Sequence, residues 1–301
     1  MSKGVDALHP RMEAGKVAVA DYLELTKPRV TGLILMSTLV GFYLAPGGGI
    51  DLWLLASVLA GTALVASGTA ALNQYWERET DGRMLRTRDR PLPAGRLLPW
   101  KALCFGVGLA AAGVAWLAWQ VNPLTSLLAL LTLVSYLFFY TPLKTRTPHC
   151  TLVGAFPGAI PSLIGWTAVQ GEISLAAVVL YAILFLWQFP HFLAIAWMYR
   201  EDYARGGIVM LPVVEPEGVS TGRQIVAYSI VLLPVSLLPS LLGVTGWVYF
   251  AGALLLGAAF LHVGIRTAAA QSTLAARRLL QASVLYLPLV YGLMILDKTA
   301  R

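Results

Sequence analysis

Uninterrupted apolar runs of about 20 residues recur along this chain, each long enough to cross a hydrocarbon core of roughly 30 Å. No other feature restricts the fold as strongly, because every polar backbone group in lipid has to be satisfied inside its own segment. Composition agrees: 57% of residues are hydrophobic and the mean hydropathy is +0.70. Charged residues make up 12%, about half the share usual in soluble domains. The reading is an all-α integral membrane protein with nine transmembrane helices. They fall near 29–46, 52–76, 99–120, 124–141, 151–169, 174–199, 224–243, 246–265 and 279–296. Residues 1–26 form a cytoplasmic N-terminal segment, without the pattern of a removed signal peptide, and 27–298 the membrane domain.

The flanks set the orientation. With the N-terminus in the cytoplasm, Lys3, Arg11, Lys16, Lys27 and Arg29 and the basic loops around 77–101, 142–150, 200–223 and 266–278 all lie inside. Of 22 basic residues, only Lys298 and Arg301 then lie outside. The opposite turns carry no Lys or Arg, as the positive-inside rule expects. The net charge of +7 is therefore a topology signal, and no nucleic-acid partner is implied. Cys104 and Cys150 share no metal-type spacing and read as structural.

The cytoplasmic end of the second span runs into "NQYWERETDGRMLRTRDRPLPAGR", residues 73–96. Asn73, Glu77 and Asp81 are spaced four apart, so they share one face while the helix continues. Gln74 adds an amide beside them. Three converging oxygens suit Mg²⁺, which keeps several waters and joins one or two carboxylates to substrate phosphates. Arg78, Arg83, Arg86, Arg88, Arg90 and Arg96 are expected to surround the site with positive charge, as an anionic metal-bound diphosphate requires. The plainer reading is a solvated loop. The four-residue spacing weighs against it, since an ionised group near a membrane helix end is expensive unless paired or functional.

A second cluster follows in "FLWQFPHFLAIAWMYREDYARGGIVMLPVV", residues 185–214, on the same side. Arg200, Glu201, Asp202 and Arg205 end that helix, and two acidic helix ends could face one another as a faint duplication. Within the span, Trp187, Gln188 and His191 surround Pro190. Polar groups at such depth are tolerated mainly where they line a cavity, although a lone buried His is as often a packing residue. On an ideal helix His191 would stand about 16 Å from Asp202.

The segments "LTKPRVTGL", "NQYWERETDGRMLRTRDRPLPAG", "YTPLKTRTPHC", "GAIPSLIGW" and "WQFPHFLAIAWMYREDYARGGIVMLPV" occur in this order. Together they resemble the protohaem IX farnesyltransferase (haem O synthase) family, a branch of the UbiA-type intramembrane prenyltransferases. The resemblance implies a nine-helix bundle around a central cavity whose cytoplasmic face holds Mg²⁺ and farnesyl diphosphate. It also implies farnesyl transfer to a vinyl group of haem B with addition of water, giving haem O and diphosphate. A downstream haem A synthase or terminal oxidase assembly would take the product, and a bacterial inner membrane would house the enzyme.

Matched positions assign the roles. Asn73, Glu77 and Asp81 are expected to form the first Mg²⁺-diphosphate site with Gln74 in support, and Asp202 to lead the second, with Glu201 as its neighbour. Lys27, Arg29, Arg86, Arg90, Lys144 and Arg146 are candidates for diphosphate or haem propionate contacts, and His191 for a haem-facing residue. The chain departs from the superfamily pattern at Gln74 and Glu77, where Asp is common. It departs again at Met198 and Gly206, the positions four residues from Asp202 where a second aspartate usually stands. Two other functions share these features. One is prenyl transfer to a quinone precursor or other aromatic acceptor, and the other is non-enzymatic haem transport. Clustering of the carboxylates at one face speaks against transport.

Overall fold

The structure, a computed structural model, describes residues 19–47 and 49–299. The basic residues Lys3, Arg11, Lys16 and Arg301, used above for orientation, lie outside the described residues. Among the described residues the regular structure is helical apart from one isolated antiparallel bridge between Thr245 and Lys298. A short helix α1 (Val19–Leu25) leads into α2 (Pro28–Leu44), α3 (Leu52–Arg83), α4 (Pro99–Gln120) and α5 (Pro123–Val134). After α5 the chain makes a π-helical turn, Ser135–Tyr140, and a single helical turn α6 (Thr141–Leu143). There follow α7 (Cys150–Gln170), α8 (Leu175–Met198), α9 (Arg200–Arg205), α10 (Leu211–Val214), α11 (Val219–Leu241), α12 (Trp247–Ala270) and α13 (Thr273–Leu296).

Among the described residues, eight helical stretches have the length and apolarity to cross a membrane. The remaining expected span, α2, is 17 residues long, or about 26 Å at the usual rise. The chain is an integral, multi-pass membrane protein. Its surface is correspondingly inside out: Leu131, Val231, Leu255, Leu285 and Leu289 are all exposed, as side chains facing lipid should be. Several boundaries differ from the expected ones. Helix α3 continues to Arg83 because its last two turns are held by contacts with other segments, although their sequence is too polar to read as membrane. The fourth span is not one regular helix, since the π turn interrupts it. Helix α8 ends at Met198, and Tyr199, with φ −111° and ψ 19°, separates it from α9. The ideal-helix separation between His191 and Asp202 therefore does not apply.

Helices α7 and α8 are the most enclosed of the long helices. Helix α7 packs on α2, α5 and α8, and α8 packs further on α11 and α13. On the other flank α3 packs on α4. Small residues permit these approaches, as is usual between membrane helices. A Cβ on Gly165 would overlap the carbonyl oxygen of Thr38, and one on Gly41 that of Ser162. Between α3 and α4, a Cβ on Gly68 would lie 2.7 Å from Gly106 O and one on Gly113 2.8 Å from Gly61 O. At the far end Lys298 donates to the carbonyls of Tyr43 and Ala45. Its ammonium thus satisfies acceptors left open where α2 stops, which accounts for a cation at an end of the bundle where few are expected.

Candidate active site

Among the described residues, most of the interacting charge gathers at the end of the bundle where α3 stops and α2 begins. Helix α3 runs unbroken through Asn73, Glu77 and Asp81, and each of the three meets a cation from a different segment. Lys27 Nζ donates to Asn73 Oδ1 at 3.1 Å, Lys144 Nζ to Glu77 Oε1 at 2.8 Å, and Arg90 Nη1 to Asp81 Oδ2 at 2.7 Å. Asn73, Gln74 and Asp81 are buried and Glu77 is half-buried.

Local structure explains how each cation arrives. Lys27 stands between α1 and α2 in the left-handed region, φ 47° and ψ 63°, a conformation that is costly for a residue with a side chain, by roughly 1–2 kcal/mol. Burial first, and Arg90 second, push its pKa down to about 8. Lys144 follows the π turn, and its ammonium lies 4.6 Å from the Tyr140 ring centroid and 5.9 Å from that of Tyr136. Burial opposes its charge, but Glu77 and the two tyrosines outweigh this and raise its pKa well above the usual lysine value. The backbone of Lys144 is fixed as well, since Val209 N donates to its carbonyl at 2.8 Å. Tyr140 needs Gly154 beneath it, where a Cβ would stand 2.6 Å from the ring.

Arg90 returns to α3 because the loop after Arg83 folds on itself. Thr87 Oγ1 donates to Asp81 O at 2.8 Å, and successive turns bring Arg90 within reach. The loop is also held from across the bundle. Asp202 accepts from Leu85 N at 2.7 Å and Arg86 N at 3.2 Å, with Arg205 Nη1 at 3.4 Å. The two acidic helix ends therefore meet, with Asp202 clasping the backbone that follows the first motif.

Of the expected arginine ring only Arg90 pairs with the carboxylates of the first motif. Arg78 bonds Tyr75 O and pairs with Glu79, Arg88 pairs with Asp89, and Arg96 binds Asp21 and Glu24 of α1. Loop arginines reach whichever acceptor the fold brings near, which spacing alone does not reveal. Arg86 is exposed, with its guanidinium 5.2 Å from the Tyr199 ring centroid and 6.0 Å from that of Tyr203. Arg29, Arg146 and Glu201 are also exposed. Gln74 points to the α1–α2 junction, donating to Leu25 O at 2.9 Å, and so ties α1 to α3 beside Lys27. His191 lies in α8, where its Nδ1 is 2.8 Å from Ser283 Oγ. Both cysteines are free, Cys104 exposed and Cys150 buried.

Tyr136, Tyr140 and Thr141 were not singled out from the sequence. Thr141 Oγ1 donates to Tyr136 O at 2.9 Å and accepts from Asn73 Nδ2 at 3.2 Å, which turns the Asn73 oxygen toward Lys27. The spacing Tyr136, Tyr140, Lys144 at a span's end is the legible signal of this group in the sequence.

Among the described residues no three acidic, His or Cys side chains converge enough to hold a metal unaided. Lys144 and Arg90 engage only one oxygen of Glu77 and one of Asp81. The other oxygen of each takes no part in these ion pairs. That donor set fits Mg²⁺ shared with phosphate oxygens and water, the usual mode for this ion.

Fold and site together define an integral membrane protein whose helix bundle ends in a cluster of paired acidic and basic side chains. Comparisons with known proteins agree. The model of the UbiA prenyltransferase family matches residues 34–287. A protoheme IX farnesyltransferase of Solibacter usitatus is 56% identical over 92% of this chain and 98% of its own length. A solved structure of digeranylgeranylglyceryl phosphate synthase superposes with TM-score 0.76 at 17% identity, covering 93% of this chain and 98% of the other. A UbiA homologue from Archaeoglobus fulgidus, bound to DMAPP and Mg²⁺, gives TM-score 0.60 at 16% identity over 91% and 99% of the two chains. The chain belongs to the UbiA prenyltransferase family.

Proposed function

We propose that this protein transfers the farnesyl group of farnesyl diphosphate to a vinyl group of haem B, with addition of water, giving haem O and diphosphate. The reading is carried by three cations from three segments converging on the acidic face of α3, together with the high identity to a named protoheme IX farnesyltransferase. Lys27, Lys144 and Arg90 bind the diphosphate, while Asn73, Glu77 and Asp81 hold the divalent cation that accompanies it. Asp202 positions the loop that delivers Arg90. Mg²⁺, when bound, neutralises charge on the departing diphosphate.

The chemistry follows from that placement. The allylic C–O bond breaks and its electron pair leaves with the diphosphate, where fixed cations stabilise the new charge more than the ground state. The farnesyl carbon then bonds the terminal vinyl carbon. Water captures the resulting cation beside the porphyrin and releases a proton. An apolar surrounding keeps the first cation from premature hydrolysis. Both substrates are largely apolar and enter from lipid. The diphosphate end faces the cytoplasm of a bacterial inner membrane, and the product passes to a haem A synthase or terminal oxidase.

Purified protein incubated with haem B, farnesyl diphosphate and Mg²⁺ is expected to form haem O, detected by mass spectrometry, and none after chelation of the metal. Diphosphate release only with a quinone-type acceptor would move the function to another branch of the family. Lys27→Gly gives a second check. Glycine adopts the left-handed conformation freely, so thermal stability in detergent should hold or rise. The rate should nevertheless fall by about 100-fold, the usual loss for one charge-stabilising group. Wild-type turnover in this variant would remove Lys27 from the site.

A further inference from the structure

The His191–Ser283 contact determines more than helix packing. His191 Nδ1 is 2.8 Å from Ser283 Oγ, and Ser283 Oγ is 2.7 Å from Leu280 O. A serine hydroxyl has one proton, and a carbonyl oxygen has none. Both short contacts carry a proton only if Ser283 donates to Leu280 and the imidazole donates to Ser283. The reverse assignment would leave two oxygens facing one another at 2.7 Å with nothing between them. His191 is therefore the tautomer protonated at Nδ1, and its Nε2 holds a free lone pair.

The ring is fixed in plane as well as in tautomer. Trp187, one turn earlier on α8, stacks on His191 with centroids 4.6 Å apart and an interplanar angle of 22°. The Trp187 indole N–H in turn donates to Ser283 O at 2.9 Å. One residue of α13 thus orients both Trp187 and His191 of α8. Among the described residues Nε2 has no hydrogen-bond partner. Packing accounts for the Nδ1 bond, since hydrogen bonds between membrane helices commonly add about 0.6 kcal/mol. It gives no role to Nε2, a partly buried acceptor within a span, where polar groups are commonly functional.

Resting on the haem reading above, we propose that Ser283 is a positioning residue that locks His191 so that Nε2 ligates the iron of the haem substrate. A metal-binding histidine almost always donates its other ring N–H to an oxygen, which fixes its orientation and raises its basicity. Ser283 supplies that oxygen. Holding the porphyrin by its iron would fix the position of the reacting vinyl group relative to the diphosphate end.

The test uses the full chain in detergent, titrated with ferric haem B in the absence of farnesyl diphosphate and followed by absorption and electron paramagnetic resonance. Wild type should show a nitrogen-ligated iron, and His191→Ala should lose it. Ser283→Ala should keep its thermal midpoint but bind haem about 10-fold more weakly, as removal of such an outer partner typically does. Ser283→Thr, which retains the hydroxyl, should restore the signal, while the KM for farnesyl diphosphate stays unchanged in both Ser283 variants. Wild-type spectra and affinity in Ser283→Ala would overturn the proposal. So would an unchanged spectrum in His191→Ala accompanied by lost turnover, which would make His191 a proton acceptor instead. If Ser283→Thr misfolds, nitrogen-15 shifts of the His191 ring in the unliganded wild type decide the matter, a proton on Nε2 being the overturning result. Because the titration omits the prenyl donor, it stands apart from haem O formation: a wild type that ligates haem without converting it would overturn the functional reading alone.

Discussion

Glu77→Gln is expected to reduce diphosphate release from farnesyl diphosphate by about 10²–10³-fold, the range seen when one group stabilising transition-state charge is removed. The substitution keeps the shape and a neutral oxygen but loses the charge that a hard cation needs. Glu77 also balances Lys144, with side-chain exposures of 13% and 15% for the pair. Losing one partner of so enclosed a pair leaves an uncompensated charge and is destabilising. The double variant Glu77→Gln with Lys144→Met separates the two effects. It should recover thermal stability and remain inactive. Recovery of turnover together with stability would show that the pair serves packing, and a rate near wild type in the single variant would remove Glu77 from the metal site.

Asp202→Ala is expected to lower turnover by about 100-fold and to raise the KM for farnesyl diphosphate. Its carboxylate accepts from the backbone of Leu85 and Arg86, and each donor left unpaired costs about 1–3 kcal/mol. Loosening that backbone releases the loop that carries Arg90 to Asp81. Limited proteolysis should then cut within residues 84–98 faster than in the wild type. Asp202→Asn, which can still accept one of the two N–H groups, should fall between. An Asp202→Ala variant with a normal KM and an equally resistant loop would refute the positioning role.

Some of the site could be read from the order of residues because helix geometry is local. Asn73, Glu77 and Asp81 share a face of α3 through 3.6-residue periodicity alone, whatever the helix packs against. The apolar runs likewise required membrane helices, since lipid offers no other partner to a backbone N–H. Where the π turn falls was not legible, although it brings Lys144 under Glu77, because a six-residue segment of ordinary hydrophobicity, "SYLFFY", reads as a continuing helix. The length of α3 was underestimated for a related reason: its polar last turns are stabilised by Lys27, Lys144 and Arg90 rather than by their own composition.

The sequence by itself determined the helical membrane architecture, the acidic face of α3 and the basic residues gathered at one end of the bundle, all of which depend on hydropathy and short-range periodicity. Only the tertiary structure decided which cation meets which oxygen, why Arg90 but not Arg78, Arg88 or Arg96 reaches the acidic face, that Asp202 clasps the loop, and that Ser283 sets the tautomer of His191. Those pairings join residues as far apart as 117 positions. Contacts of that kind depend on how whole helices dock, and docking is set by close approach of small residues and by chain reversal, neither of which a local pattern of residues records.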